Sequence, residues 1–225
     1  MTFELTPLFL SLRTALCASG IVFLLGIACA RLFLYARGWV KWLTDVLFTL
    51  PLVLPPTVLG FFLLVLCGKH GPLGRLMLRY GVSLLFSWQA TVLAAVVVSF
   101  PLMYRAAKGA LEQVEEELVW AARTLGWGEL RIFLRVMLPQ ALPGIAAGAV
   151  LSFARALGEF GATLMVAGNI PGRTQTMPLA IYFATAAGNM RAAAIWGWII
   201  TLVSCIVLGM MQLCSTRARR RGGRL

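Results

Sequence analysis

Charge is scarce in this sequence. Asp, Glu, Lys and Arg together make up 12% of the 225 residues, and the acids are outnumbered, eight against twenty bases. A chain this poor in charge, 60% hydrophobic and with a mean hydropathy of +0.86, belongs to the membrane class. Histidine occurs once, as His70, and the cysteines Cys17, Cys29, Cys67, Cys205 and Cys214 stand singly, with no CxxC pair. That excludes a disulfide framework and argues against a metal site or other cofactor, so the thiols read as buried small hydrophobes. The sequence holds no Gly-x-x-x-x-Gly-Lys-Ser/Thr loop to cradle nucleotide phosphates, no HExxH and no nucleophile elbow. Glu115, Glu116 and Glu117 are consecutive, so on a helix they fan apart and do not converge as paired catalytic carboxylates. An enzyme acting alone is a poor reading. The first apolar run lacks a basic leader and a small-residue cleavage site, and is expected to be a span, not a signal peptide.

Long apolar runs are what the chain has in quantity, and a single bundle of about five transmembrane helices over residues 1–225 accounts for them. The first runs from Leu8 to about Leu34, with Arg13 near its start, placed to snorkel to the interface, a pore role being the alternative. The second, about Val46 to Leu66, contains Pro51, Pro55 and Pro56, followed by Thr57. Three prolines remove backbone donors, so this run is expected to break, either to line a gate or as a packing kink. The link from Gly68 to Tyr80 is rich in turn residues and fits an exposed loop with a short interfacial helix. A third span covers about Leu84 to Met103, and a fourth starts after Pro143 and runs to about Ala167. Arg155 and Glu159 lie in that fourth run, with Thr163 one turn on. Ionisable residues in a span face protein or water, and at i and i+4 these two can pair. The pair is either structural or lends an anion pathway the positive potential of Arg155. Leu179 to Ala187 is too short for a span and reads as interfacial or partly inserted. The fifth span covers about Ala193 to Leu213, before a tail carrying Arg217, Arg219, Arg220, Arg221 and Arg224, an anchor for anionic headgroups.

Between the third and fourth runs lies a stretch of a different kind, Glu115 to Pro143, with acids and bases every few residues. Leu118, Ala121, Ala122 and Leu125 share helical spacing, after an acidic first turn that suits a helix dipole. Gly126 and Gly128 offer a turn, and a second apolar set, Leu130, Phe133, Leu134, Met137 and Leu138, is expected to end at Pro139. The product is a helix–turn–helix elbow, too charged to span lipid and too apolar to be a solvated loop. It calls for a partner surface, with a helix lying on the bilayer as the alternative.

Ala121-Ala122, three residues, Gly126, nine residues, then Val136-Met137-Leu138-Pro139 is similar to the E-A-A-x3-G-x9-I-x-L-P signature of importer-type ABC permeases. In that family the stretch forms a coupling helix that docks in a groove of a cytoplasmic ATPase subunit. The resemblance therefore implies that Glu117, Trp120, Ala121, Ala122, Gly126, Leu138 and Pro139 couple this chain to an ATPase, within a cytoplasmic loop at about 105–142. Trp120 stands at the signature's glutamate position and Val136 at its isoleucine, and Glu117, about one turn earlier, is placed to take over a polar contact. Ser152 to Thr163 (SFARALGEFGAT) and Ala167 to Tyr182 (AGNIPGRTQTMPLAIY) resemble the molybdate permeases in particular. That resemblance implies a homodimer, two ATP-binding subunits, an external molybdate-binding protein and residence in the cell inner membrane. Tungstate, sulfate and thiosulfate permeases are the related alternative.

With the elbow and the tail inside, five spans place the N-terminus outside and the C-terminus inside. The inner links then hold Arg31, Arg37, Lys41, Arg105, Lys108, Arg123, Arg131, Arg135 and the tail arginines, and the outer links only Lys69, Arg75, Arg79, Arg173 and Arg191, as the positive-inside rule requires. The net charge of +12 is thus a topology signal, and nucleic-acid binding is not expected. A secondary transporter would need inverted repeats and midplane coupling residues, and no repeat is visible. A membrane scaffold would leave the elbow unexplained. Pro51, Pro55, Pro56, Thr57, Arg155, Glu159 and Thr163 are the candidate pore or gate residues.

Overall fold

The computed structural model describes residues 5–81 and 83–222, with side chains as far as residue 209. The side chains of the basic tail and of Cys214 lie outside the described residues. All described secondary structure is helical. The helices are α1 (Thr6–Phe33), α2 (Gly38–Val53), α3 (Pro56–Cys67), α4 (Pro72–Arg79), α5 (Trp88–Glu112) and α6 (Glu116–Thr124). They continue with α7 (Glu129–Leu157), α8 (Gly161–Ala167), α9 (Met177–Ala186) and α10 (Met190–Gly222). Four are long and apolar enough to cross a membrane, and the count reaches the five expected from the sequence when the bent pair α2–α3 is taken as one span.

The central helix is α5. Ser87 starts it by accepting a hydrogen bond from the Ala90 amide at 3.3 Å, and Ala90, Ala94, Ala95, Val98, Ser99 and Ala107 along it are all buried. Small side chains let neighbouring helices approach closely where lipid offers no hydrophobic driving force between them. α1 runs parallel to α5, with Thr14 opposite Thr91 (Oγ1 to Oγ1 3.3 Å) and Gly26 against Met103 and Tyr104. α2 runs antiparallel to it, with Lys41 opposite Glu112 and Asp45 opposite Lys108. The Phe48 ring meets Tyr104 and Phe100 edge-on at 5.0 and 5.3 Å, an offset geometry that aromatic quadrupoles favour. α7 returns antiparallel to α5, with Gly144 against Ala110.

Several boundaries differ from the sequence reading, each for a physical reason. The second run does break, by 112° between α2 and α3. Leu54, extended at ψ 138°, has the conformation that a following proline imposes. Pro51, by contrast, lies inside α2, and that helix begins at Gly38, so Lys41 is helical. The third span sits further along the chain than expected, ending at Glu112. Pro139 and Pro143 do not end or precede a helix. Both lie within α7, which opens as α-helix over Glu129–Ile132, widens to a π-helical turn over Phe133–Met137 and resumes over Leu138–Leu157. In the π turn the Leu138 amide donates to the Phe133 carbonyl, five residues back, just before the residue that has no amide hydrogen to give. The buried stripe on α7 is correspondingly spaced five and then four: Ile132, Met137, Ala141, Ile145. The wide turn keeps that stripe facing α5. At the other end, the expected fourth span stops at Leu157, ten residues short of Ala167, and a break at Gly158–Phe160 separates α7 from α8.

Candidate functional site

The elbow forms as the sequence suggests, with one residue of the expected face, Ala122, turned inward. Glu116 and Glu117 occupy the first turn of α6. Its end is a Schellman motif: the Trp127 amide donates to the Ala122 carbonyl at 3.1 Å and the Gly126 amide to the Arg123 carbonyl at 2.9 Å. Gly126 has φ +77°, which only glycine adopts without strain. Val119 and Ala122 pack inward against α7 and α5, joining Ile132, Met137 and Leu111 in one buried cluster. Leu118, Ala121 and Leu125, which the sequence placed on the same face as Ala122, point outward, and Leu125 is 73% exposed. Leu130 and Leu134 of the second apolar set are also exposed, and Ile132 is the residue that seats α7. Leu138 is half-buried against the same cluster, and Pro139 is exposed.

One carboxylate fastens the elbow to the bundle. Glu129 Oε1 accepts from Arg123 Nε at 2.7 Å and Glu129 Oε2 from Arg31 Nη2 at 3.3 Å, so it ties α6 and α1 to the start of α7. The hydrogen bond to Glu129 holds the Arg123 guanidinium above its ordinary pKa. Arg123 also stacks over Trp120 (5.0 Å to the ring centroid) and Arg131 over Trp127 (4.5 Å). A shallow groove of about 570 Å³ runs along the outer side of α7's first turns, lined by Gly128, Glu129, Leu130, Arg131, Leu134 and Arg135. Glu117 and Trp120 are exposed beside it in sequence, with Trp120 at 59%.

The candidate gate residues come together in part. Gly161, the first residue of α8, abuts the start of α3, and a Cβ there would lie 3.0 Å from Pro56 Cβ and 3.2 Å from the Thr57 amide. The two helix breaks, one at Leu54–Pro55 and one at Gly158–Phe160, therefore face each other. Arg155 Nη1 donates to Glu159 Oε2 at 2.9 Å, and Glu159 Oε1 accepts from the Ala162 amide at 2.8 Å. Glu159 lies just past the end of α7, in the break, so the two residues share no continuous helix face. Thr163 is buried one turn into α8, Thr57 is exposed, and Pro51 sits a turn before the break, inside α2. Arg13 stacks on Trp88, 4.0 Å from the ring centroid, whose Nε1 donates to Thr14 at 3.0 Å.

Sequence reasoning missed a second polar anchor. Asp45 on α2 accepts from Tyr104 Oη at 2.7 Å and, through its other oxygen, from Lys108 Nζ at 2.6 Å. No residue of α2 is fully buried within the chain, and beside the half-buried ring of Phe48 this cluster and Lys41–Glu112 (3.5 Å) fix its elbow end. The available signal was Asp45, the one acid in the second apolar stretch. The thiols were also misjudged. Of those described only Cys67 is buried, while Cys17 and Cys205 are exposed, because a chain surface bounded by lipid or partners tolerates them.

Comparison with known proteins gives this architecture a family. The chain is 47% identical over 192 residues to the molybdenum transport system permease protein ModB of Escherichia coli K12, covering 82% of this chain and 81% of that one. It is 40% identical over 224 residues to ModB of Haemophilus influenzae, covering 98% and 97%. The fold matches the inward-facing MetNI methionine ABC transporter with a TM-score of 0.74 at 18% identity, covering 94% of each chain. It also matches a bacterial ABC transporter involved in alginate import, with a TM-score of 0.75 at 14% identity, covering 96% of this chain and 81% of that one. Residues 22–221 match the model of the binding-protein-dependent transport system inner membrane component family, and the chain is a member of that family, a multi-pass inner-membrane permease.

Proposed function

We propose that this chain is the membrane-spanning permease of an ATP-driven importer of molybdate. The observation that carries the reading is identity of 40–47% over 82–98% of the chain to permeases named for molybdenum transport, supported by a charged elbow between the third and fourth spans. Family membership brings ATP-binding subunits and a substrate-binding protein as partners, and places ATP hydrolysis in a partner, not in this chain. More finely, the chain pairs as a homodimer, two ATP-binding subunits dock on the elbows at about 105–142, and an external protein delivers molybdate. The N-terminus is outside and the C-terminus inside, as the distribution of bases requires.

In this reading the elbow carries force. Val119, Ala122 and Ile132 bury one side of it against α5, so displacement of α6 moves the bundle as a body. Glu117, Trp120, Ala121 and Gly126 are its working face and turn, while Leu138 packs half-buried against the inner cluster and Pro139 is exposed further along α7. The force arrives at α3 and α8, where Pro56 and Thr57, just after Pro55 in the break, meet Gly161, with Glu159, Arg155 and Thr163 behind them. Two breaks in contact form a hinge with more than one packing, which a gate needs. Glu159 offsets the charge of Arg155, so the pathway holds no unopposed cation there. A weak site suits transport, and selection rests with the delivery protein.

Uptake by the complex reconstituted in vesicles tests this. ATP-dependent molybdate accumulation that survives an ionophore is the expected result. Accumulation of sulfate or thiosulfate in its place reassigns the substrate. Gradient-driven uptake without the ATP-binding subunit overturns the importer reading.

A further inference from the structure

The outer face of the elbow carries an aromatic side chain where a carboxylate contact is expected. Trp120 is 59% exposed on one flank of α6, and Leu118 and, just past the helix end, Leu125 (73%) are exposed on the other flank. Large apolar groups exposed on both flanks of one short element mark it as an interaction surface. Trp120 is also held in place: Arg123 stacks on its ring and is itself fixed by Glu129. A ring ordered before binding loses little entropy on docking, which is the character of an interface anchor. Charge around it is asymmetric, with Glu115, Glu116 and Glu117 at the N-terminal end of α6 and Arg131 and Arg135 lining the groove beyond the turn.

Building on the coupling role proposed above, we infer that the elbow recognises its ATP-binding subunit through Trp120, seated in an apolar pocket of that subunit, and not through a carboxylate at this position. The complementary surface is specific. It has an aliphatic or aromatic floor for Trp120, basic residues facing Glu115–Glu117, and an acidic ridge or helix that enters the groove between Arg131 and Arg135. A lipid headgroup surface fits less well, because a helix lying on an anionic bilayer surrounds its apolar face with bases, whereas α6 opens with three consecutive acids. Trp120 is then the residue that sets which ATP-binding subunit this permease accepts.

The test titrates the cognate ATP-binding subunit onto the permease in lipid nanodiscs, and reads both affinity and substrate-stimulated ATP hydrolysis. Trp120 is exposed, so its variants fold, and gel filtration verifies this. Trp120→Phe is expected to bind within about three-fold of the unchanged protein, and Trp120→Glu about ten-fold or more weakly, with hydrolysis falling in step. Replacing Glu115, Glu116 and Glu117 together by Gln is expected to slow association and flatten its salt dependence. The inference fails if Trp120→Glu binds as well as the unchanged protein, or if Trp120→Phe loses as much as Trp120→Glu. Leu125→Asp separates the two levels of the argument. If it weakens binding while Trp120→Glu does not, the elbow still docks and only the role of Trp120 is wrong. If neither changes binding, the elbow does not meet the ATP-binding subunit, and the coupling role falls with it.

Discussion

Arg155 Nη1 lies 2.9 Å from Glu159 Oε2 across the gap that separates α7 from α8. The same carboxylate accepts from the Ala162 amide, so one buried side chain, 3% exposed, joins the end of one helix to the start of the next. Removing Arg155 alone leaves that carboxylate without its cation. Arg155→Ala is expected to destabilise by about 1–3 kcal/mol, the lower part of the range because the guanidinium is partly exposed. The double change Arg155→Ala with Glu159→Gln is milder, since the amide still caps α8 and no charge is stranded. Thermal unfolding in one detergent ranks the three proteins. Equal loss of uptake in the single and double variants, at unchanged melting temperature, would assign Arg155 to the pathway instead.

The approach of α3 to α8 yields a second prediction. A Cβ on Gly60 would sit 2.8 Å from the Ala162 Cα and 2.8 Å from the Met165 Cβ, whereas one on Gly20 in α1 would meet nothing within 4 Å. Gly60→Ala is therefore expected to cost about 1–3 kcal/mol by overpacking. Gly20→Ala is expected to be neutral or to stabilise by up to about 1 kcal/mol through helix propensity. Opposite shifts in melting temperature check the pair, and a loss of uptake confined to Gly60→Ala would show that this contact moves during transport.

The spans were legible because each is a continuous apolar run, and the break at Pro55–Pro56 because prolines act locally. What the sequence hid was set by tertiary packing. Pro139 reads as a stop, yet the stripe Ile132, Met137, Ala141 and Ile145 is anchored on α5, and a π turn bridges the missing donor. Leu118, Ala121, Ala122 and Leu125 read as one face by their spacing, but Ala122 turns inward with Val119, and in an elbow flanked by the bundle on one side spacing alone does not say which residue packs against it. Gly158 gave a hint of the break before α8, while the reach of Glu159 to the Ala162 amide depends on a bend that periodicity cannot express. Asp45 and Lys108 each have nearer charged neighbours in sequence, Lys41 for one and Arg105 and Glu112 for the other, and their pairing spans 63 residues, so only the fold brings them together.

That pairing has its own consequence. Lys108 is buried, while Asp45 is partly exposed on a helix with no fully buried residue, held otherwise by the half-buried ring of Phe48 and by Lys41–Glu112. Asp45→Asn keeps the shape but strands the Lys108 ammonium, with an expected cost of about 1–3 kcal/mol after allowance for the exposed side of Asp45. The loss should be local. Hydrogen exchange of the amides in Gly38–Val53 is expected to speed up while that of α5 stays slow, and Lys108→Met combined with Asp45→Leu should restore much of the protection. Uniform acceleration across both helices would mean that the cluster supports the whole bundle and not α2 alone.

Gly126 makes the sharpest demand on the elbow. Its φ of +77° closes the Schellman turn that aims α6 away from α7, and nothing lies within 4 Å of where its Cβ would be. A substitution there meets backbone strain and no steric clash, so residue type predicts the result. Gly126→Asn should be tolerated, because asparagine visits the left-handed region more readily than other residues. Gly126→Val should cost about 1–2 kcal/mol in that conformation, or else the turn rewinds and carries Trp120 out of register with Glu129 and the groove. Because α5 and the remainder of α7 do not depend on this turn, both variants should insert in the membrane and purify like the unchanged protein. ATP-driven uptake should survive in Gly126→Asn and vanish in Gly126→Val, with the ATP-binding subunit still able to hydrolyse ATP by itself. Uptake that persists in Gly126→Val would mean that the geometry of the turn does not transmit the work of ATP hydrolysis to α3 and α8.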